Sequence, residues 1–178
     1  MNYKTISEIY EANDRVRAKL KSIVANLNDE QANTLPEGEK WTVQEFVEHI
    51  SIVDEGIMRI SAKLLSAAKE NGGQADGSAK FTEEFLQKIA GGRDAKFEAP
   101  ERVRPTGTKS IAESLAKLDE TRDKLEELRA LFESVDCSEP KFPHPAFGDM
   151  TAHEWLALLG GHEARHIKQL ENVLAKIR

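Results

Sequence analysis

Three short boxes of the form Ser/Thr-x-x-Glu constrain the fold of this chain most, because each opens a run of apolar residues at helical spacing. They are Thr42–Val43–Gln44–Glu45, Ser110–Ile111–Ala112–Glu113 and Thr151–Ala152–His153–Glu154. In such a box the hydroxyl and the carboxylate satisfy backbone N–H groups that a helix start leaves bare. Behind the first box run Val43, Phe46, Val47, Ile50, Val53, Ile57, Ile60 and Leu64. Behind the second run Ile111, Leu115, Leu118, Leu125, Leu128 and Phe132, with Arg122 as a polar exception. Behind the third run Trp155, Leu159, His162, His166, Leu170, Val173 and Ile177. A fourth stripe, from about Thr5 to Asn26, carries Ile6, Ile9, Tyr10, Val16, Leu20, Ile23, Val24 and, just beyond, Leu27, with Asn13 as its odd member. Steps of three and four place each set on one helix face.

Breakers separate these stripes. Pro36 and Gly38 interrupt the first connection, Asn71–Gly72–Gly73 ends the second helix, and three prolines between Cys137 and Pro145 rule out a helix there. The stretch from Gln74 to Thr108 holds Gly77, Gly91, Gly92, Pro100, Pro105 and Gly107, with room for one short helix over Phe81–Ile89. At about 35 residues it exceeds a turn between antiparallel neighbours and suits a crossover between parallel helices. The expected fold is therefore all-α: one four-helix bundle over residues 1–178, up-down-down-up, with the long crossover between its second and third helices. No strand is expected.

Composition agrees with a helical chain: 31% of the 178 residues are charged and only 6% aromatic. A net charge of −6 without a basic stripe speaks against nucleic-acid binding. No apolar run approaches the roughly 20 residues that span a bilayer. The first residues lack the charged start and apolar block of a signal peptide, and the single Cys137 cannot form an internal disulfide. A cytoplasmic protein without membrane contact is the expectation.

His162 and His166 stand where a bundle normally places Leu or Ile. Four residues apart, they share a helix face and can reach one metal ion. A third ligand has to come from another helix, and His49 is the histidine on a second helical stripe. It lies seven residues from the start of its helix, and the pair lies 12 to 16 residues from the C-terminal end. At about 1.5 Å per residue, helix tilt can absorb that offset. Three neutral imidazoles leave positions open, as catalytic sites do; the plainer alternative is three core histidines held by hydrogen bonds. Zinc, nickel, iron and manganese all accept imidazole, and spacing does not choose among them.

His162–Glu163–Ala164–Arg165–His166 also matches the H-E-x-x-H pattern of zinc proteases. The continuation Ile–Lys–Gln–Leu–Glu lacks the further ligand, and only 12 residues remain for another helix. Glu163 is accordingly expected as a solvated charge, rotated about 100° from His162. Asn13 and Arg122 are polar residues on seams at a level compatible with the metal. Arg122 is either a clamp for a substrate or cofactor carboxylate or a snorkelling side chain. Gly160–Gly161 serves either close helix approach or open access to the metal. Cys137 is expected as a free thiol, His144 and His153 as surface residues or outer partners of a ligand, and Trp41 and Trp155 as core aromatics or aromatics at a helix start.

The segments Trp41–Thr42–Val43–Gln44–Glu45–Phe46–Val47–Glu48–His49–Ile50, Gly148–Asp149–Met150–Thr151–Ala152–His153–Glu154–Trp155–Leu156 and His162-x3-His166–Ile167–Lys168–Gln169–Leu170 resemble the DinB/YfiT-like superfamily, the damage-inducible family and not the polymerase of that name. The resemblance covers essentially the whole chain; its most specific parts are W-x7-H and H-x3-H-x2-Q. It implies a four-helix metalloprotein with one ligand on the second helix, His49, and two on the fourth, His162 and His166. It further implies a divalent metal such as nickel or zinc, and a homodimer. In some members it implies S-transfer or isomerisation of a small-molecule substrate with a low-molecular-weight thiol such as bacillithiol or mycothiol as cosubstrate. Asn13 and Arg122 are the candidate cofactor contacts. Because many members have no established activity, a non-catalytic, stress-associated metal- or ligand-binding dimer is the rival expectation.

Overall fold

A computed structural model describes residues 3–91 and 98–177. Among these the long helices are α1 (Ile6–Val24), α3 (Val43–Glu70), α5 (Ile111–Ser134) and α6 (Ala152–Ile177), with short helices α2 (Asp29–Asn33) and α4 (Glu83–Gly91) between them. The capping signals act as written. Thr42 and Ser110 each accept from the N–H three residues on, and the glutamate there returns a bond to the cap backbone. Glu154 likewise accepts from the Thr151 N–H at 2.8 Å. Thr5 caps α1 alone, through the Glu8 N–H. The helix α2 was not expected, yet Asn28–Asp29–Glu30–Gln31 is a capping box with Asn in place of Ser and Gln in place of Glu. The predicted breaker Gly92 lies outside the described residues.

One expectation is overturned. The proline-rich loop folds into a hairpin, β1 (Lys141–His144) against β2 (Gly148–Thr151), antiparallel, with Lys141 opposite Thr151 and His144 opposite Gly148. Each strand is only four residues long, and Pro143 sits inside one. Both strands of a two-stranded sheet are edges, where a missing N–H is tolerated. Half-buried Phe142 and His144 do alternate with exposed Lys141 and Pro143, but four residues are too few to stand out. The Trp155 indole N–H donates to the Phe142 carbonyl and moors the hairpin on α6.

The apolar core is in two parts. One gathers Ile6, Ile9, Tyr10, Ile57, Leu65, Phe132, Met150 and Leu156. The other gathers Leu20, Val43, Val47, Ile50, Leu118, Ile167, Leu170 and Val173. Each fully buried side chain of this kind contributes about 1.5–3 kcal/mol. Between the two parts every long helix contributes a buried polar residue: Asn13 from α1, Asp54 from α3, Thr121 from α5 and Glu163 from α6. Together with Arg17 they form a polar layer across the bundle. Its centre is an ion cluster. The Arg17 guanidinium donates to Asp54 at 2.6 Å, to Glu163 through Nε at 3.0 Å and through Nη2, and to the Leu118 carbonyl at 3.0 Å. Asp54 and Glu163 are both fully buried. Burial first, and Glu163 second, hold the Asp54 carboxyl well above the usual carboxylate range. A protonated Asp54 leaves one guanidinium facing one carboxylate.

Candidate metal centre

His49 on α3 and His162 and His166 on α6 converge inside the bundle, next to the polar layer. Their ligand atoms all lie within 4.8 Å of one another. The Nε2 atom of His162 is 3.2 Å from that of His49 and 3.0 Å from that of His166. Nitrogens held about 2.0–2.1 Å from a common ion are about 3.0 Å apart at neighbouring octahedral corners and about 3.4 Å apart in a tetrahedron. The two separations from His162 fall in that interval, and the His49 and His166 ligand atoms lie within 4.8 Å of each other.

Proton bookkeeping points the same way. His49 Nδ1 is 2.6 Å from the Val103 carbonyl, which can only accept, so the ring proton is on Nδ1 and Nε2 presents a lone pair. His162 Nε2 faces both other Nε2 atoms, and a single proton there serves at most one of them well. A cation taking three lone pairs satisfies all three, so the donor set fits a divalent ion. The His162 Nδ1 atom is buried with no hydrogen-bond partner among the described residues.

Aromatic rings wall the centre. Trp41 lies 4.7 Å from the His49 ring and 6.3 Å from His166, and Phe46 lies 5.8 Å from His166. Trp41, expected as a core or helix-start aromatic, is thus part of the site, and its signal is the W-x7-H spacing. Burial is the first cause that holds His162 and His166 neutral, and the cationic Arg165 acts in the same direction on both. The glutamates next to the ligands in sequence are engaged elsewhere: Glu48 accepts from Thr106 and Gly107, and Glu163 from Arg17. Glu163 is therefore not the solvated charge expected. It lies on the buried seam Leu156–Leu159–Glu163–Ile167–Leu170, and its Arg17 bond leaves the H-E-x-x-H match without a free general base.

Asn13 and Arg122 are placed together, but beside a different feature. Both line a hollow of about 10 Å³, room for one water, with Tyr10, Asp14, Arg17 and Thr121; none of the three histidines lines it. Asn13 donates to the Leu156 carbonyl at 3.0 Å, and a Cβ on Gly160 would stand 2.1 Å from its Oδ1. Gly160 therefore serves close approach of α1, whereas Gly161 faces open space. Arg122 grips Asp14 through two bonds, bonds Glu126 at 2.7 Å and lies over the Tyr10 ring. These bonds account for Arg122 without a ligand, whereas the buried Asn13 Oδ1 has no hydrogen-bond partner among the described residues. His153 is buried, accepting from the Lys80 N–H and bonding the Phe132 carbonyl, and Cys137 is a buried thiol pushed up to about 11. His144 accepts from the Ala146 and Phe147 N–H groups at the hairpin tip.

Burial lowers the pKa of all five histidines, to about 4 for His144 and about 3 for His166. Imidazoles in the unfolded chain take up protons below about pH 6.5, whereas the folded ones wait for their own lower values. Acidification through that window therefore favours the unfolded chain. The raised Asp54 acts oppositely, since its folded form holds a proton that the unfolded chain releases above about pH 3.9, but it is one group against five. The metal-free protein is expected to lose thermal stability steadily from about pH 7 to about pH 5. A melting midpoint unchanged over that range would contradict burial of neutral imidazoles.

A helical bundle with a histidine-lined centre and no helix, among the described residues, long and apolar enough to cross a membrane is the class of protein defined here. The chain belongs to the DinB superfamily, whose family model matches residues 12–170. It is 30% identical over 152 residues to the uncharacterized protein YuaE of Bacillus subtilis (strain 168), covering 85% of this chain and 88% of that protein. Its fold is similar to that of TT2238, a four-helix bundle protein known from a crystal structure, with a TM-score of 0.62 at 22% identity over 93% of this chain and 98% of the other.

Proposed function

We propose that the protein is a cytoplasmic, metal-dependent enzyme that joins a low-molecular-weight thiol to a small electrophilic substrate. The observation that carries this reading is the convergence of three Nε2 lone pairs from His49, His162 and His166. A divalent ion held there would lower the pKa of a thiol or water and polarise a carbonyl. Three residues would hold it, which leaves coordination positions for exogenous ligands. The positive charge of Arg165 acting on the centre favours an anionic ligand such as a thiolate. Thiol transfer is favoured over hydrolysis because Glu48 and Glu163, the carboxylates beside the ligands in sequence, are both committed to other bonds. That same shortage of acid–base groups favours, as a second reading, a metal-bearing dimer that captures a ligand without turning it over.

The proposal includes a single domain with its helices up-down-down-up. Supporting this, Asn13 meets Leu156 and Arg17 meets Glu163, so α1 and α6 run in one sense. Along α5 the order reverses: Tyr10 bonds Leu125 and Arg17 bonds Leu118. It also includes a homodimer in which each subunit keeps its own site, since the three ligands already meet within one chain. The test uses protein purified without chelator or nickel resin. About one divalent ion per chain is expected by elemental analysis, two chains by light scattering, and a thiol-transfer activity that metal removal abolishes. Metal-free protein that takes up no added ion would defeat the site, and metal-loaded protein inert toward every thiol would leave the capture reading. A strict monomer would remove the second copy.

A further inference from the structure

The loop that leads into α5 is tied to the first turns of α3 by a run of bonds with a direction to it. The Gln44 amide donates to the Gly107 carbonyl at 3.3 Å. The Glu48 carboxylate accepts from the Thr106 hydroxyl at 2.6 Å on one oxygen and from the Gly107 N–H at 2.8 Å on the other. Three residues before Thr106, the Val103 carbonyl accepts from His49 Nδ1 at 2.6 Å. Glu48 is only 2% exposed. A carboxylate buried to that degree is costly unless its oxygens are bonded, and an apolar side chain would cover the same ground without that cost. What the carboxylate adds is aim: two acceptors matched to two donors of one turn. Gly107, at φ +72, adopts the left-handed backbone of that turn, which glycine enters without strain.

We infer that Glu48 is a positioning residue for the metal ligand His49, acting through the loop and not by touching the imidazole. Glu48 and His49 are neighbours on α3 but point about 100° apart, so each engages a different part of the same loop. Glu48 anchors residues 106–107; that anchor holds the Val103 carbonyl against His49 Nδ1; and that bond keeps the proton on Nδ1 and the Nε2 lone pair turned toward His162. Outer hydrogen bonds of this kind set the tautomer and rotation of a ligating imidazole. The inference rests on the metal reading of the site.

The experiment titrates Co(II) into the full chain and its variants Glu48→Ala, Glu48→Gln and Thr106→Val, following affinity and the visible d–d spectrum. Glu48→Ala is expected to weaken Co(II) binding by about 10- to 100-fold and to alter the spectrum. Glu48→Gln, which keeps an acceptor for the Gly107 N–H and can donate to Thr106, should recover most of that loss. Thr106→Val should fall between and carries the test if the alanine variant does not fold. A second readout needs no metal: long-range proton–nitrogen NMR should find His49 protonated on Nδ1 in the wild type and mixed between the two nitrogens in Glu48→Ala. If a folded Glu48→Ala or Thr106→Val variant keeps wild-type affinity, spectrum and His49 tautomer, the positioning role is wrong. If the wild type binds no Co(II), the metal reading falls, and the tautomer measurement alone decides whether Glu48 orients His49.

Discussion

Replacing Arg17 with methionine is expected to lower stability by about 3–5 kcal/mol, a large share of what holds a domain of this size together. The reason lies in what is left behind. Glu163 and Asp54 are fully buried, and the guanidinium is the cation bonded to both. Without it, Glu163 loses its counter-charge and the Asp54 carboxyl loses its donor, both inside the core. Denaturant unfolding at neutral pH reads the loss directly. The combined variant Arg17→Met, Asp54→Leu, Glu163→Met should recover most of it, because a well-packed apolar set often equals or exceeds a buried ion cluster in stability. A single Arg17→Met variant within about 1 kcal/mol of wild type would mean that water reaches the cluster and screens it.

The second large effect concerns the centre itself. The double variant His162→Ala, His166→Ala leaves His49 as the sole imidazole of the three, and one imidazole does not retain a divalent ion against chelator. Bound metal is expected to drop from stoichiometric to background by elemental analysis. A ligand that binds only the folded chain raises its melting temperature, so added metal should stabilise the wild type and leave the double variant unmoved. Stoichiometric metal in the double variant would place the site elsewhere.

The long helices were legible in the sequence because their signals are local. Capping boxes at Thr42, Ser110 and Thr151 mark starts to within a residue, and stripes at steps of three and four mark the buried faces. The histidine cluster was legible for a related reason: His162 and His166 interrupt a stripe, and a buried imidazole has to be explained. The ion cluster was not, because the stripes were read through hydrophobic residues alone. Val16 does pack against the core, but Arg17 beside it carries no apolar signal, and Asp54 stands between Ile50 and Ile57 on α3. A guanidinium and two carboxylates look like surface residues until their partners are known, and those partners are 37 and 146 residues away in the chain. The hairpin escaped because each strand is only four residues long, β1 carries a proline, and β2 does not alternate.

The polar layer also bears on which bundle forms. Two apolar helix faces can slide past each other by a turn with little penalty, since leucine meets leucine in either register. Here a one-turn shift of α6 would bring Leu159 or Ile167 opposite Arg17, leave the guanidinium unbonded in the core, and pull His162 and His166 off the level of His49. Such a slip would cost the bundle both its ion cluster and its histidine cluster. The charges in the middle of the core thus fix the alignment of the helices that the histidines require.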